Sequence, residues 1–199
     1  MKSNVCKIDN GTKDLAAILN ESERVAEYNN LTHKQAMQLR LICEEIDGML
    51  PNIIDEFSGE LWIEFEKNVC KVNISLNFDE FTAEKKKELV SVAKNKKNAA
   101  ATGIVGKIRS AIENVFLDSS NYTGFDLASE SYHFSTEYYN FSDRSYLWSL
   151  DQYRTTVKME KRAEDWDELE KSVLASVADD VIVGVKGKQA DIVIIKNFG

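Results

Sequence analysis

Between Thr32 and Phe57 the chain reads THKQAMQLRLICEEIDGMLPNIIDEF, and Ala36, Leu39, Cys43, Ile46, Leu50, Ile53 and Phe57 recur at alternating steps of three and four. That spacing gathers the apolar side chains on one stripe of a helix. Such a helix has to bury its stripe against a second layer. Thr32, with Gln35 three residues on, is a capping-box signal for its start. Pro51 lacks an N–H and crowds the preceding turn, which predicts a kink or restart near Leu50. Ser58-Gly59 predicts the stop. On the flanks of the stripe sit two adjacent carboxylates, Glu44 and Glu45.

The second layer is also legible. Leu61, Ile63 and Phe65 alternate with Trp62, Glu64 and Glu66; beyond a turn at Asn68, Val72, Ile74, Leu76 and Phe78 alternate with Lys71, Asn73, Ser75 and Asn77. Period-two alternation over two runs predicts a hairpin with one face on a core. The C-terminal VIVGVKGKQADIVIIK predicts another, with Val181, Val183 and Val185 facing Ile192 and Ile194 across a turn at Gly187. Its β-branched residues on both faces place it inside a sheet.

Around these lie an extended arm over residues 1–12, with a short strand at Val5–Ile8, and a helix over 13–30 with Leu15, Ile18, Leu19, Ser22, Val25 and Ala26 inward. Further helices are expected over 82–93, from Gly103 to Leu117, and from Asp165 to Ala178 with Leu169, Val173, Leu174 and Val177 inward. Residues 118–147 are rich in Ser, Asn and aromatics and read as part of an insertion, 118–165, lying over the core. Trp148 to Met159 fits a strand or a helix. The fold class expected is α/β: one domain over residues 1–199, a two-layer sandwich of helices on a mixed, mostly antiparallel sheet.

Composition narrows the function. A net charge of −8 opposes nucleic-acid binding, which needs a basic face, and suits a basic partner. No run is long enough to cross a membrane, and MKSNVCKIDNG has no apolar leader, so a cytoplasmic protein is expected. Cys6, Cys43 and Cys70 are odd in number and widely spaced, and read as reduced, mostly buried thiols. His33 and His133 have no partner at a zinc-ligand spacing. Lys94 to Lys97 read as a solvated loop.

LRLICEEIDGML (Leu39–Leu50), the strand pair that follows it, and TGIVGKI (Thr102–Ile108) together resemble the ATP-binding sandwich of histidine kinases, gyrase and the anti-sigma-factor serine kinases, the GHKL or Bergerat-fold superfamily. The anti-sigma-factor type is most similar. The likeness runs over residues 32–117 and, more loosely, the final hairpin; residues 118–165 have no counterpart. It implies that Glu45, with Glu44 as the neighbouring alternative, polarises the attacking water or hydroxyl. It implies that Asp79, in Phe78-Asp79-Glu80-Phe81, reads the adenine amino group. It also implies that Gly103, Gly106 and Lys107 cradle phosphates at a helix N-terminus, below a lid carrying Lys94, Lys96 and Lys97.

The chain departs from the family at the magnesium asparagine. Four residues after Glu45 stands Met49, four after Glu44 stands Gly48, and neither side chain offers an oxygen. The two glycines of the family's aspartate turn are missing as well. What the resemblance then implies is an ATP-binding regulatory protein with degenerate motifs, in which ATP binds weakly or without magnesium; an active kinase or ATPase ranks last because the magnesium asparagine is missing. The alternative is an anti-sigma-like, protein-binding regulator without nucleotide. A regulatory protein partner or a homodimer fits either.

Overall fold

A computed structural model describes residues 1–10, 15–54, 56–78, 103–118, 146–186 and 188–199. In chain order the elements are β1 (Cys6–Asp9), α1 (Leu15–Tyr28), α2 (His33–Ile53), β2 (Ser58–Glu66), β3 (Val69–Asn77), α3 (Gly103–Asp118), β4 (Tyr146–Ser149), α4 (Leu150–Met159), α5 (Ala163–Lys171), α6 (Val173–Val177), β5 (Asp180–Lys186) and β6 (Gln189–Asn197). The strands form one open sheet in the order β1-β2-β3-β6-β5-β4, antiparallel at every pairing. The expected helix-on-sheet α/β sandwich is therefore the fold, with the two hairpins joined through β3 and β6 at its centre.

Register explains which face carries the core. Leu61 lies opposite Ile74, Ile63 opposite Val72 and Phe65 opposite Cys70; Val72 and Ile74 pair on with Ile194 and Ile192, which pair with Val181 and Val183. These residues share one face, and all are buried with Leu39, Ile42, Cys43, Ile46, Met49, Leu50 and Ile53 of α2. On the opposite face β2 and β3 carry half-buried polar residues, whereas Ile182 and Val193 of β5 and β6 are buried there too. That two-sided burial is what β-branched residues on both faces predict for interior strands.

Local chemistry sets the ends. Thr32 N–H donates to Gln35 Oε1 at 2.9 Å and Gln35 N–H donates to Thr32 Oγ1 at 3.4 Å, so the capping box forms. At the hairpin turn both Lys67 and Asn68 take positive φ, 50° and 66°, the pair a two-residue primed turn requires. Gly59 opens β2, because a Cβ there would run into the carbonyl oxygen of Ser75 on the paired strand.

Four expectations need correction. Of the kink or restart expected near Leu50, the restart does not occur: the central helix runs on through Pro51 to Ile53, where Ile54 N–H still donates to Leu50 O at 3.2 Å. Proline deletes a single donor, and burial of Leu50 and Ile53 holds the tail in place. Ser58-Gly59 starts a strand rather than merely stopping a helix. The expected helix from Asp165 to Ala178 is two helices, broken at Ser172, whose side chain accepts from Ala175 N–H and caps α6; Val173 is left exposed. Trp148 to Met159 is both alternatives in turn: β4 ends at Ser149, whose side chain accepts from Gln152 N–H and starts α4. The helix expected over 82–93, the lysines at 94–97, the turn glycine Gly187 and most of the aromatic stretch lie outside the described residues. Within the expected insertion, residues 146–165 supply a strand of the sheet, α4 and the start of α5.

Candidate functional site

Helix α2 lies between α1 and α3, and its two glutamates leave on different flanks. Glu44 accepts from Arg40 Nε at 3.0 Å, and the same guanidinium reaches Glu23 of α1 at 2.6 Å. Glu44 is thus turned toward α1 and neutralised. Glu45 is half-buried on the other flank, in line with Asn52 two helical turns on. Helix α3 packs against α2, and one bond between them runs from Arg109 Nη1 to Asn52 O at 3.4 Å. Sequence alone placed both glutamates equally far from the apolar stripe; the neighbouring helices separate them. Met49 is buried in the core, and the space a Cβ would take at Gly48 is empty.

The glycine-opened helix is α3. Gly103 takes φ +72° at its first turn, a conformation that favours glycine. A Cβ there would lie 3.7 Å from Glu168 Oε2 of α5. Gly106 is buried. Lys107 sits one turn beyond Gly103 on the same side, away from α2. Its ammonium lies 3.8 Å from Asp165 Oδ1 of α5 and 5.1 Å from the centre of the Tyr153 ring of α4.

Tyr153 and Asp165 are the hub of this cluster. Arg162 approaches the same ring at 5.8 Å, and its Nη1 lies 3.2 Å from Asp165 Oδ2. Trp148 packs beside Tyr153 at 6.1 Å between ring centres. Burial, and then the neighbouring Asp165 carboxylate, push the Tyr153 phenol far above its ordinary range, so it stays protonated. Two cations therefore converge on one carboxylate and one aromatic ring near the start of α3, where a helix end offers free N–H groups. Sequence reasoning missed Tyr153, Arg162 and Asp165. No local pattern marks them, since they reach Lys107 only through the docking of α4 and α5.

Gly103, Gly106 and Lys107 thus lie on the first two turns of α3, while Glu45 is half-buried on α2 on a different side from the Arg40-bound Glu44. The contacts of Lys107 are with α4 and α5. Asp79 lies outside the described residues. Among those residues no three His, Cys, Asp or Glu side chains are grouped to hold a metal ion. The three cysteines are free and buried; burial drives the Cys43 thiol far up and pushes Cys70 up to about 12, so neither is a nucleophile at neutral pH. No described helix is long and apolar enough to cross a membrane.

Searches against protein-family models, curated proteins and solved structures return no match for this chain.

Proposed function

We propose that the protein is a divergent, regulatory nucleotide-binding protein on the GHKL plan, which takes ATP without using magnesium for phosphoryl transfer. The observation that supports this reading is the layering of an acidic helix beside a glycine-opened helix over an antiparallel sheet, with Glu44 taken up by Arg40 and Glu45 left half-buried. Phosphates would meet the first turn of α3 and the Lys107 ammonium. Met49 and Gly48 offer no oxygen at the position where the family's asparagine holds magnesium. The cytoplasm is the compartment that suits both ATP and three reduced thiols.

A second reading, a protein-binding regulator that has lost nucleotide, is favoured by one observation. Asp165 already satisfies Lys107 and Arg162, as a phosphate would. Thermal unfolding with ATP, with and without magnesium, separates the two. A ligand held only by the folded state adds about 2.7 kcal/mol at a hundred times its Kd. The first reading expects an ATP-dependent rise that ignores magnesium, shrinks in Lys107→Ala and grows in Asp165→Asn, where the competing charge is gone. No rise at millimolar ATP in either the native protein or Asp165→Asn would remove the first reading and leave the second.

A further inference from the structure

Helix α5 reads AEDWDELEK, five carboxylates and one lysine. It alone holds a net −4 of the −8 carried by the whole chain. Its inner side is accounted for: Leu169 is buried, Asp165 meets Lys107 and Arg162, and Glu168 pairs with Lys171 at 3.8 Å. The outer side is not. Glu164, Asp167 and Glu170 are exposed and follow one another at i, i+3 and i+6, so they form a ladder of like charges one helical turn apart. Among the described residues no lysine or arginine forms an ion pair with any of the three. Neighbouring like charges at this spacing repel, so the free helix is electrostatically incomplete.

The same side carries an aromatic residue that a solvated helix does not need. Trp166 is 39% exposed, and its Nε1 donates to Glu170 Oε1 at 2.8 Å, which fixes the ring against the carboxylate ladder. Met159, 77% exposed at the end of α4, and Val173, 37% exposed at the start of α6, add apolar surface at the two ends of α5. Tryptophan is the side chain most enriched among residues that dominate interface energetics, and a ring already held in place loses less freedom on binding.

We propose that the outer face of α5 docks a cationic, amphipathic segment of another protein, which lays lysines or arginines along Glu164, Asp167 and Glu170 and an apolar side chain on Trp166. The partner's charge follows from the uncompensated ladder and its apolar anchor from the exposed indole. This surface is separate from the nucleotide reading and does not depend on it.

The test uses the full chain and two synthetic peptides of equal charge, an amphipathic lysine–leucine peptide and a control with serine for leucine. Binding is followed by titration calorimetry and by Trp166 emission. The lysine–leucine peptide is expected to bind saturably and at least about tenfold more tightly than its serine control, with an affinity that falls as salt rises. The double variant Glu164→Lys/Asp167→Lys and the single variant Trp166→Ala should each weaken it by about tenfold or more. Glu27→Lys/Glu66→Lys makes the same change in net charge at exposed sites on α1 and at the end of β2, and should leave affinity within about twofold. The proposal is overturned if neither peptide binds saturably, if the serine peptide binds as well, if Trp166→Ala has no effect, or if the distant double variant weakens binding equally.

Discussion

Glu21 is the one carboxylate of α1 that the fold buries, and it ties the N-terminal arm to the helix layer. Its Oε2 accepts from Asn4 N–H at 3.0 Å, and its Oε1 accepts from Asn4 Nδ2 at 3.0 Å and from Arg24 Nη1 at 2.6 Å. The arm itself extends β1 along the edge of β2, with Ser3 N–H donating to Ile63 O at 2.8 Å and Phe65 N–H donating to Met1 O at 2.8 Å. Glu21→Ala leaves Asn4 N–H and Nδ2 without an acceptor. Hydrogen bonds to a charged group are worth roughly 1.5–3 kcal/mol each and are not additive, so about 2–3 kcal/mol should be lost at neutral pH. Arg24 is mostly exposed, and Arg24→Ala should cost well under 1 kcal/mol, about what surface ion pairs are worth.

The pH dependence of Glu21 has a definite sign. Burial raises its pKa, but the bonds from Asn4 and Arg24 outweigh burial and hold it below the ordinary 4.5. The folded state therefore binds this proton less readily than the unfolded chain does. Its contribution is complete above the unfolded value and is lost as pH falls through the lower, folded one. Urea unfolding of the native chain and of Glu21→Gln from neutral pH into the acid range measures it. The gap between them should be widest at neutral pH and should close toward acid. A gap that is absent at neutral pH, or constant with pH, would refute the reasoning.

Two further outcomes follow from the fold. Gly59→Ala should cost about 1–3 kcal/mol, toward the upper end, because the new methyl meets the Ser75 carbonyl and sits 3.0 Å from Leu76 Cδ2 and 3.2 Å from Leu76 Cα in a paired strand that cannot step aside; a denaturant midpoint unchanged from the native chain would contradict it. Thr32→Ala should cost about 1 kcal/mol through loss of the cap on α2, with Thr32→Ser restoring most of it, as read from urea midpoints at constant slope.

What could be read from the chain divides by range. Periodicity found the central helix, both hairpins and the helix at Gly103, because a buried stripe or face imposes its period directly on the residues. Ends were read well where a side chain closes its own cap, as at Thr32. They were misread where a distant partner decides, as at Gly59, whose requirement comes from the Ser75 carbonyl. The break at Ser172 was hidden because Leu169 and Leu174 keep apolar spacing across it while the backbone turns extended. At the candidate site the sequence named Gly103, Gly106 and Lys107 by likeness, but it could not supply Asp165, Arg162 and Tyr153. Those three are chosen by how α4 and α5 return over α3. The choice between Glu44 and Glu45 likewise awaited Arg40, whose guanidinium bridges two helices.

Helix α3 has two working sides, and they bind different neighbours. Arg109 reaches the carbonyl of Asn52 on α2, while Lys107 on the other side is held by Asp165 of α5. An anion at the first turn of α3 would therefore compete with a carboxylate of the protein itself. Its affinity is what remains after the Lys107–Asp165 and Arg162–Asp165 contacts are given up. Glu168, whose Oε2 lies near Gly103, adds like-charge repulsion to the same balance. Asp165 and the ladder of Glu164, Asp167 and Glu170 belong to one short helix. The outer surface can bind without the inner one, but if both proposed ligands bind, any effect of one on the other through α5 would be equal in both directions. A cationic partner on the outer face would draw the field of α5 outward and relieve the repulsion an incoming phosphate meets. If both proposals hold, nucleotide and partner would favour one another, with the acidic helix as the element that couples them.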